Sequence, residues 1–284
     1  MTAGKAALES ILARAGVRLD GERPFDIRVR DPRFYQAVLA RWSLGLGESW
    51  VEHWWDCERL DELVCRLLRQ DADRHPVGLW SRIRIGWASL RARLINLQSR
   101  GRAFEVGERH YDLGNDLFEA MLDSRMIYSC AYWEHAAELE QAQRDKLAMI
   151  CGKLELAPGE HLLDIGCGWG GLAAFAAREY GVRVTGVTVS REQQTLAEAR
   201  CQGLPVNIRL CDYRDLDGRF DKVVSVGMFE HVGTRNYATY FDTVRRVLAP
   251  EGIFLLHTIG TATTTSHTDP FIDRYIFPNG KIPS

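Results

Sequence analysis

Hydrophobic and polar positions follow two rhythms along this chain, and the change of rhythm divides it. The front follows the helical period. "ALESILARAGV" (7–17) spaces its apolar residues by three and four and stops at Gly16. "PRFYQAVLARW" (32–42) and "LDELVCRLLRQ" (60–70) repeat that spacing, with Pro32 near the start of the first. "FDIRV" (25–29) alternates and predicts a short strand. The intervening "SLGLGESWVEHWWDC" (43–57) is rich in Gly and Trp and reads as a packed turn with aromatic anchors. From residue 105 onward, five apolar strands alternate with helices: "HLLDIGCG", "VRVTGVTVS", "VNIRLCDY", "FDKVVSVGMFE" and "GIFLLHTIG". The helical pieces between them include "GLAAFAAREY", "REQQTLAEARC" and "NYATYFDTVRRVL". Alternation at this spacing predicts an α/β fold, a mainly parallel sheet with helices on its faces. It is preceded by a small mixed, largely helical domain.

One stretch belongs to neither rhythm. In "LWSRIRIGWASLRARLINL" (79–97), Trp80, Ile83, Trp87, Leu90, Leu94 and Leu97 share one helix face, flanked by arginines 82, 84, 91 and 93. Residues 75–104 hold six arginines and no acid, within a chain of net charge −2. Such a helix suits a lipid headgroup layer; on the residues alone an interdomain helix, its tryptophans packed on protein and its arginines solvated, is the favoured alternative. Nucleic acid is disfavoured, because no groove-reading motif accompanies the charge. The expected division is therefore 1–78, a basic amphipathic linker helix at 79–104, and 105–284.

Seven cysteines form no C-x-x-C pair, so we expect reduced thiols, no disulfide framework and no metal site. Glu9 and Arg14 interrupt the N-terminal apolar residues, which argues against a signal peptide, and no apolar run is long enough to span a bilayer. A cytoplasmic protein is expected.

The chemistry concentrates at strand ends. "LLDIGCGWGG" (162–171) sets Gly166, Gly168 and Gly171 between a strand and a helix, the context in which G-x-G-x-x-G brings a backbone against a ligand at a helix N-terminus. A dinucleotide site should carry an acid at the end of the next strand, for the ribose. That strand ends in Thr188 and Ser190 instead, while Asp164 precedes the first glycine by two residues. The D-x-G-x-G pattern resembles the first motif of S-adenosylmethionine-dependent methyltransferases rather than a nicotinamide site, with Asp212 placed for adenine. "VVSVGMFEHVG" (223–233) ends a core strand on Glu230 and His231. Either Glu230 is an acid interacting with a helix dipole, or it belongs to a site.

In order, "HYDLGNDLF" (110–118), "YSCAYW" (128–133), "LLDIGCGWGG", "GVTVSREQQ" (186–194), "SVGMFEHVG" (225–233), "LLHTIG" (255–260) and "YIFPNG" (275–280) resemble the cyclopropane-fatty-acyl-phospholipid synthases. These share catalytic motifs with the mycolic acid cyclopropane synthases. "DIRVRDP" (26–32) and "SLGLGESW" (43–50) extend the likeness to the front domain of the bacterial phospholipid enzymes.

The resemblance implies a Rossmann-like methyltransferase that moves a methylene unit from S-adenosylmethionine to a cis double bond of an unsaturated phospholipid, giving a cyclopropane. The cation formed on the way is deprotonated by bound bicarbonate. It implies that Tyr128 and Ser129 approach the methionine end and that Asp164, Gly166, Cys167, Gly168, Gly170 and Gly171 form the loop. Thr188 and Gln193 take the ribose, and Asp212, Tyr213 and Arg214 lie near adenine. Bicarbonate would be held by Glu230, His257 and the backbones of Cys130 and Ile259, with His231 a structural turn residue. Tyr128, Tyr132, Trp133, Phe229, Tyr275 and Phe277 are aromatic candidates to shield the cation. A homodimer touching the inner membrane face is also implied. The resemblance further implies chain beyond "KIPS", supplying the last two strands of a seven-stranded sheet, so the sequence reads as C-terminally truncated. The alternatives are a methyltransferase acting on another substrate, or an inactive remnant.

Overall fold

The computed structural model describes residues 3–70, 115–264, 268–276, 280 and 282–284. The basic stretch 79–104, the expected boundaries on either side of it, the motif start at 110–114, and Phe277 lie outside the described residues. The chain divides into two compact units, Met1–Arg91 with Asp269–Ile276, and Ala92–Thr268 with Phe277–Ser284.

The first unit holds α1 (Ala3–Arg14), β1 (Arg28–Val29), α2 (Arg33–Val51), β2 (Trp55–Asp56) and α3 (Leu60–Arg69). β1 and β2 pair antiparallel. Leu8 and Leu12 of α1, Phe34 and Val38 of α2, Trp55 and Leu63 form one core, as the three-and-four spacing of each helix requires. The Gly/Trp-rich stretch differs from expectation. Residues 43–51 continue as helix after a break at Trp42, whose φ is 49°. The glycines explain this: a Cβ at Gly45 would collide with the Ala37 carbonyl, and one at Gly47 with the Phe271 ring. Residues 269–276 return to this unit, where Tyr275 donates its hydroxyl to Glu48 at 3.0 Å.

The second unit holds α4 (Asn115–Met121), α5 (Leu139–Lys153), β3 (His161–Ile165), α6 (Gly171–Tyr180) and β4 (Arg183–Thr188). It continues with α7 (Arg191–Arg200), β5 (Val206–Leu210), β6 (Phe220–Val226), α8 (Tyr237–Val247) and β7 (Leu248–His257). Among the described residues the strands form one five-stranded sheet, ordered β5-β4-β3-β6-β7, with every neighbouring pair parallel. Leu162, Val184 and Val224 pack under α5 and α6 on one face. Leu163, Val187 and Val223 pack under α8 on the other. The chain begins at the central strand β3, builds outward one way, then returns to build the other way. Its switch point lies between β3 and β6, where their carboxyl ends leave a crevice.

Candidate active site

The crevice is a cavity lined from both sides of the switch point. β3 and its loop contribute Asp164, Gly166, Cys167, Gly168, Trp169 and Gly171. β4 and the start of α7 contribute Thr188 and Gln193, and the turn after β5 contributes Asp212, Tyr213 and Arg214. Tyr128 and Ser129 enter from the segment before α5, with Lys146 from α5 itself, and Gly227, Met228 and His231 enter after β6.

Gly166 and Gly168 hold φ of +84° and +53°, in the left-handed region that penalises other residues. A Cβ at Gly166 would stand 2.9 Å from Met228, whereas one at Gly168 would meet no protein atom within 4 Å. Gly168 therefore borders open cavity. Gly170 does not line it; a Cβ there would lie 3.1 Å from Ala197 and Cys201, so this glycine serves packing against α7.

Polar groups in the cavity divide into satisfied and unsatisfied. Thr188 donates to Gln193 Oε1 at 2.7 Å and accepts from the Ser190 N–H at 3.2 Å. Ser190 caps α7 by accepting from Gln193 N. Thr188→Val, which keeps the volume but loses both bonds, should cost about 2 kcal/mol in a denaturant melt; an unchanged midpoint would deny these bonds a stabilising part. Asp212 accepts from the Arg214 backbone N–H at 2.9 Å and from its guanidinium at 2.7 Å. Tyr128 and Tyr213 have raised pKa values because burial disfavours the phenolate.

Asp164 and the Tyr213 hydroxyl belong to the unsatisfied set, and Asp164 is the carboxylic acid of the two. It is 2% exposed, and its Oδ2 meets no hydrogen-bond partner among the described residues. Burial pushes its carboxyl up to about 7. An isolated buried carboxylate is costly, so this site is built for a cationic or hydrogen-bond-donating ligand group.

A second cluster forms where β6 and β7 end. Glu230 Oε1 accepts from the Ile259 backbone N–H at 2.7 Å, while its Oε2 is buried with no partner among the described residues. The Cys130 thiol stands 3.6 Å from His257 Nε2, and His257 Nδ1 is likewise buried with no partner among the described residues. Burial, then the nearby Lys146 charge, lowers the His257 pKa. One carboxylate oxygen and one ring nitrogen thus remain open, a donor set that fits a small oxyanion carrying a hydroxyl. The Ile259 N–H is taken by Glu230 in this arrangement.

The aromatic candidates differ in their surroundings. Phe229 is 5% exposed and stacks on Tyr237 at 4.3 Å, within the core under α8. Tyr275 belongs to the first unit. Tyr132 and Trp133 are exposed. His231, read as a turn residue, is one of the residues lining the cavity, and burial lowers its pKa. Lys146 was missed altogether.

The sheet order, the glycine loop at its switch point and the open carboxylate beside it define an S-adenosylmethionine-dependent methyltransferase. Residues 98–284 match the family described as mycolic acid cyclopropane synthetase, and the chain belongs to that family. It is 56% identical over 275 residues to the cyclopropane-fatty-acyl-phospholipid synthase of Escherichia coli, spanning 96% of this chain and 71% of that protein. The cyclopropane synthase MmaA2 of Mycobacterium tuberculosis superposes with a TM-score of 0.61 at 36% identity, over 64% of this chain and 70% of that one. The mycolic acid cyclopropane synthase CmaA1, complexed with SAH and CTAB, gives 0.60 at 36% identity over the same shares. Among the described residues no helix is long and apolar enough to cross a membrane, and no group of three or more His, Cys, Asp or Glu is placed to hold a metal.

Proposed function

We propose that this chain cyclopropanates unsaturated phospholipid: it adds a methylene unit from S-adenosylmethionine across a cis double bond of an acyl chain and releases a proton. The observation that carries this reading is the pairing of the open carboxylate of Asp164 beside the glycine loop with the cluster of Glu230, Cys130, His257 and Ile259. The identity to the Escherichia coli synthase supports it.

S-adenosylmethionine supplies an electrophilic methyl group, and bicarbonate supplies a weak base. Asp164 receives the ammonium of the methionyl end, which suits its isolation. Thr188 and Gln193, already ordered by their mutual bond, offer oxygen and amide groups to the ribose. The Asp212–Arg214 pair fixes the turn beside adenine, with Tyr213 alongside. Glu230 Oε2 accepts from the hydroxyl of the anion, and His257 donates to one of its oxygens. Methyl transfer from a sulfonium needs alignment above all, so most of these residues act by holding reactants in place. The lipid is reached by a peripheral contact with the inner membrane face through the basic segment 79–104, and the active form is a homodimer, as the family resemblance implies.

The test is transfer of labelled methyl to vesicles of unsaturated anionic phospholipid. Label should appear in cyclopropane acyl chains, not with saturated lipid, and the rate should fall as salt screens the basic segment. Label on unsaturated and saturated lipid alike would sink the reading.

A further inference from the structure

Cys130, Ser129 and Tyr128 reach the site on an irregular strap, so something outside the strap must hold it in place. Its root is fixed by Asp123, whose Oδ1 accepts from the Ile127 N–H at 2.8 Å. Its middle lies along α5. Gln143 Nε2 donates to the Ile127 and Ser129 carbonyls at 3.2 and 2.9 Å. Lys146, one turn further on the same face, donates its ammonium to Ser129 Oγ at 2.7 Å. Both side chains are deeply buried, Gln143 at 3% and Lys146 at 2% exposure.

A lysine at that depth has no reason to be there for stability alone. Burial pushes its pKa down to about 8, and no carboxylate pairs with it at salt-bridge distance among the described residues. The titratable groups facing it are Cys130 on the strap, Asp123 at its root and His257 at the end of β7. A methionine would fill the same space at lower cost. The ammonium does what methionine cannot: it fixes the Ser129 hydroxyl, next to the residue whose thiol meets His257.

We infer that Lys146 and Gln143 are positioning residues that clamp the strap Ile127–Cys130, setting Tyr128 and Ser129 at the cofactor cavity and Cys130 beside His257. This rests on the proposed function for its consequence, although not for its geometry. The clamp acts before chemistry. Releasing it should loosen the binding of S-adenosylhomocysteine and lower kcat while leaving KM for the lipid in place.

The experiment compares the parent with Lys146→Met, Ser129→Ala and the double variant. Hydrogen exchange of the Tyr128–Cys130 amides, calorimetry with S-adenosylhomocysteine and thermal melting are read on each. Each single variant should speed strap exchange and weaken binding by about tenfold, with the melting temperature held within a few degrees. The double variant should be no worse than the worse single one, because both remove the same bond. Folded variants with parental exchange and affinity would overturn the clamp, as would fully additive losses. If Lys146→Met fails to fold, Ser129→Ala decides by strap exchange, since it leaves the ammonium in place. If the parent binds no S-adenosylhomocysteine, the proposed function falls, while strap exchange still decides the clamp.

Discussion

Asp164→Asn should lower affinity for S-adenosylhomocysteine by roughly 100-fold, about 2.8 kcal/mol, with the fold intact. The amide keeps the carboxylate's shape at the end of β3 but loses its charge. The site offers the ligand's ammonium an oxygen, Oδ2, that nothing else among the described residues engages. A charge-assisted bond in a buried cavity is therefore what the variant gives up.

The same residue predicts how pH acts. Burial raises the Asp164 pKa from 3.8 to about 7, so between those values the folded chain holds a proton that the unfolded chain has released. Its contribution to stability is fully present below the unfolded value and is lost as pH rises through about 7. A cationic ligand reverses the preference, because it favours the ionised form. Affinity of the parent should therefore rise from pH 6 to pH 8, and the ligand-induced rise in melting temperature should grow with it. Asp164→Asn should flatten both trends, and without ligand it should melt at or above the parent at pH 8. Parental affinity in the variant, with the pH trend kept, would place the ammonium elsewhere.

Much of this site was legible because its residues sit where a pattern breaks. Asp164 interrupts the buried apolar run of β3, and the first glycine follows two residues later. Glu230 stands four residues past the end of β6, on the turn that follows it. The parallel sheet was legible because its strands are short, apolar and separated by helices, which leaves few topologies open. Lys146 carried a comparable signal. It lies four residues after Ala142 and four before Ile150, both on the buried face of α5, so its spacing already placed a charge in the core.

Other features needed the three-dimensional structure. Gly45 and Gly47 look like turn residues, and nothing local shows that they give way to Ala37 and Phe271. Phe271 lies over two hundred residues further on, and no local rule connects it to Gly47. Phe229 was plausible beside a cation because aromatic residues near a motif look alike in sequence. Whether such a ring faces a cavity or a core depends on the helix packed over it, here α8 for Phe229. His231 shows the converse: adjacent to Glu230 on the same turn, it lines the cavity while Glu230 turns toward Ile259.

That divergence allows a sharp comparison between the two neighbours. Glu230→Gln should lower turnover by at least about 100-fold while leaving the heat of cofactor binding unchanged. The glutamine oxygen can still accept from Ile259 N, so the backbone after β7 stays put. What changes is Oε2, which becomes a donor where the proposed anion presents its own hydroxyl. Two donors then face each other, and the base is misdirected at the moment of deprotonation. His231→Asn should cost no more than about fivefold, since the bond to the Ile259 N–H and the carboxylate oxygen assigned to the anion belong to Glu230 and not to its neighbour. Stripping bicarbonate from the buffer should slow the parent and be reversed by adding it back. It should scarcely affect Glu230→Gln, whose site no longer holds the ion productively. The deciding quantity is the ratio of the two losses. If both variants fold, bind cofactor and lose equal turnover, the histidine on the cavity wall shares the catalytic work. If Glu230→Gln keeps parental turnover and parental dependence on bicarbonate, the base is held elsewhere, and the open atoms at the ends of β6 and β7 have another use.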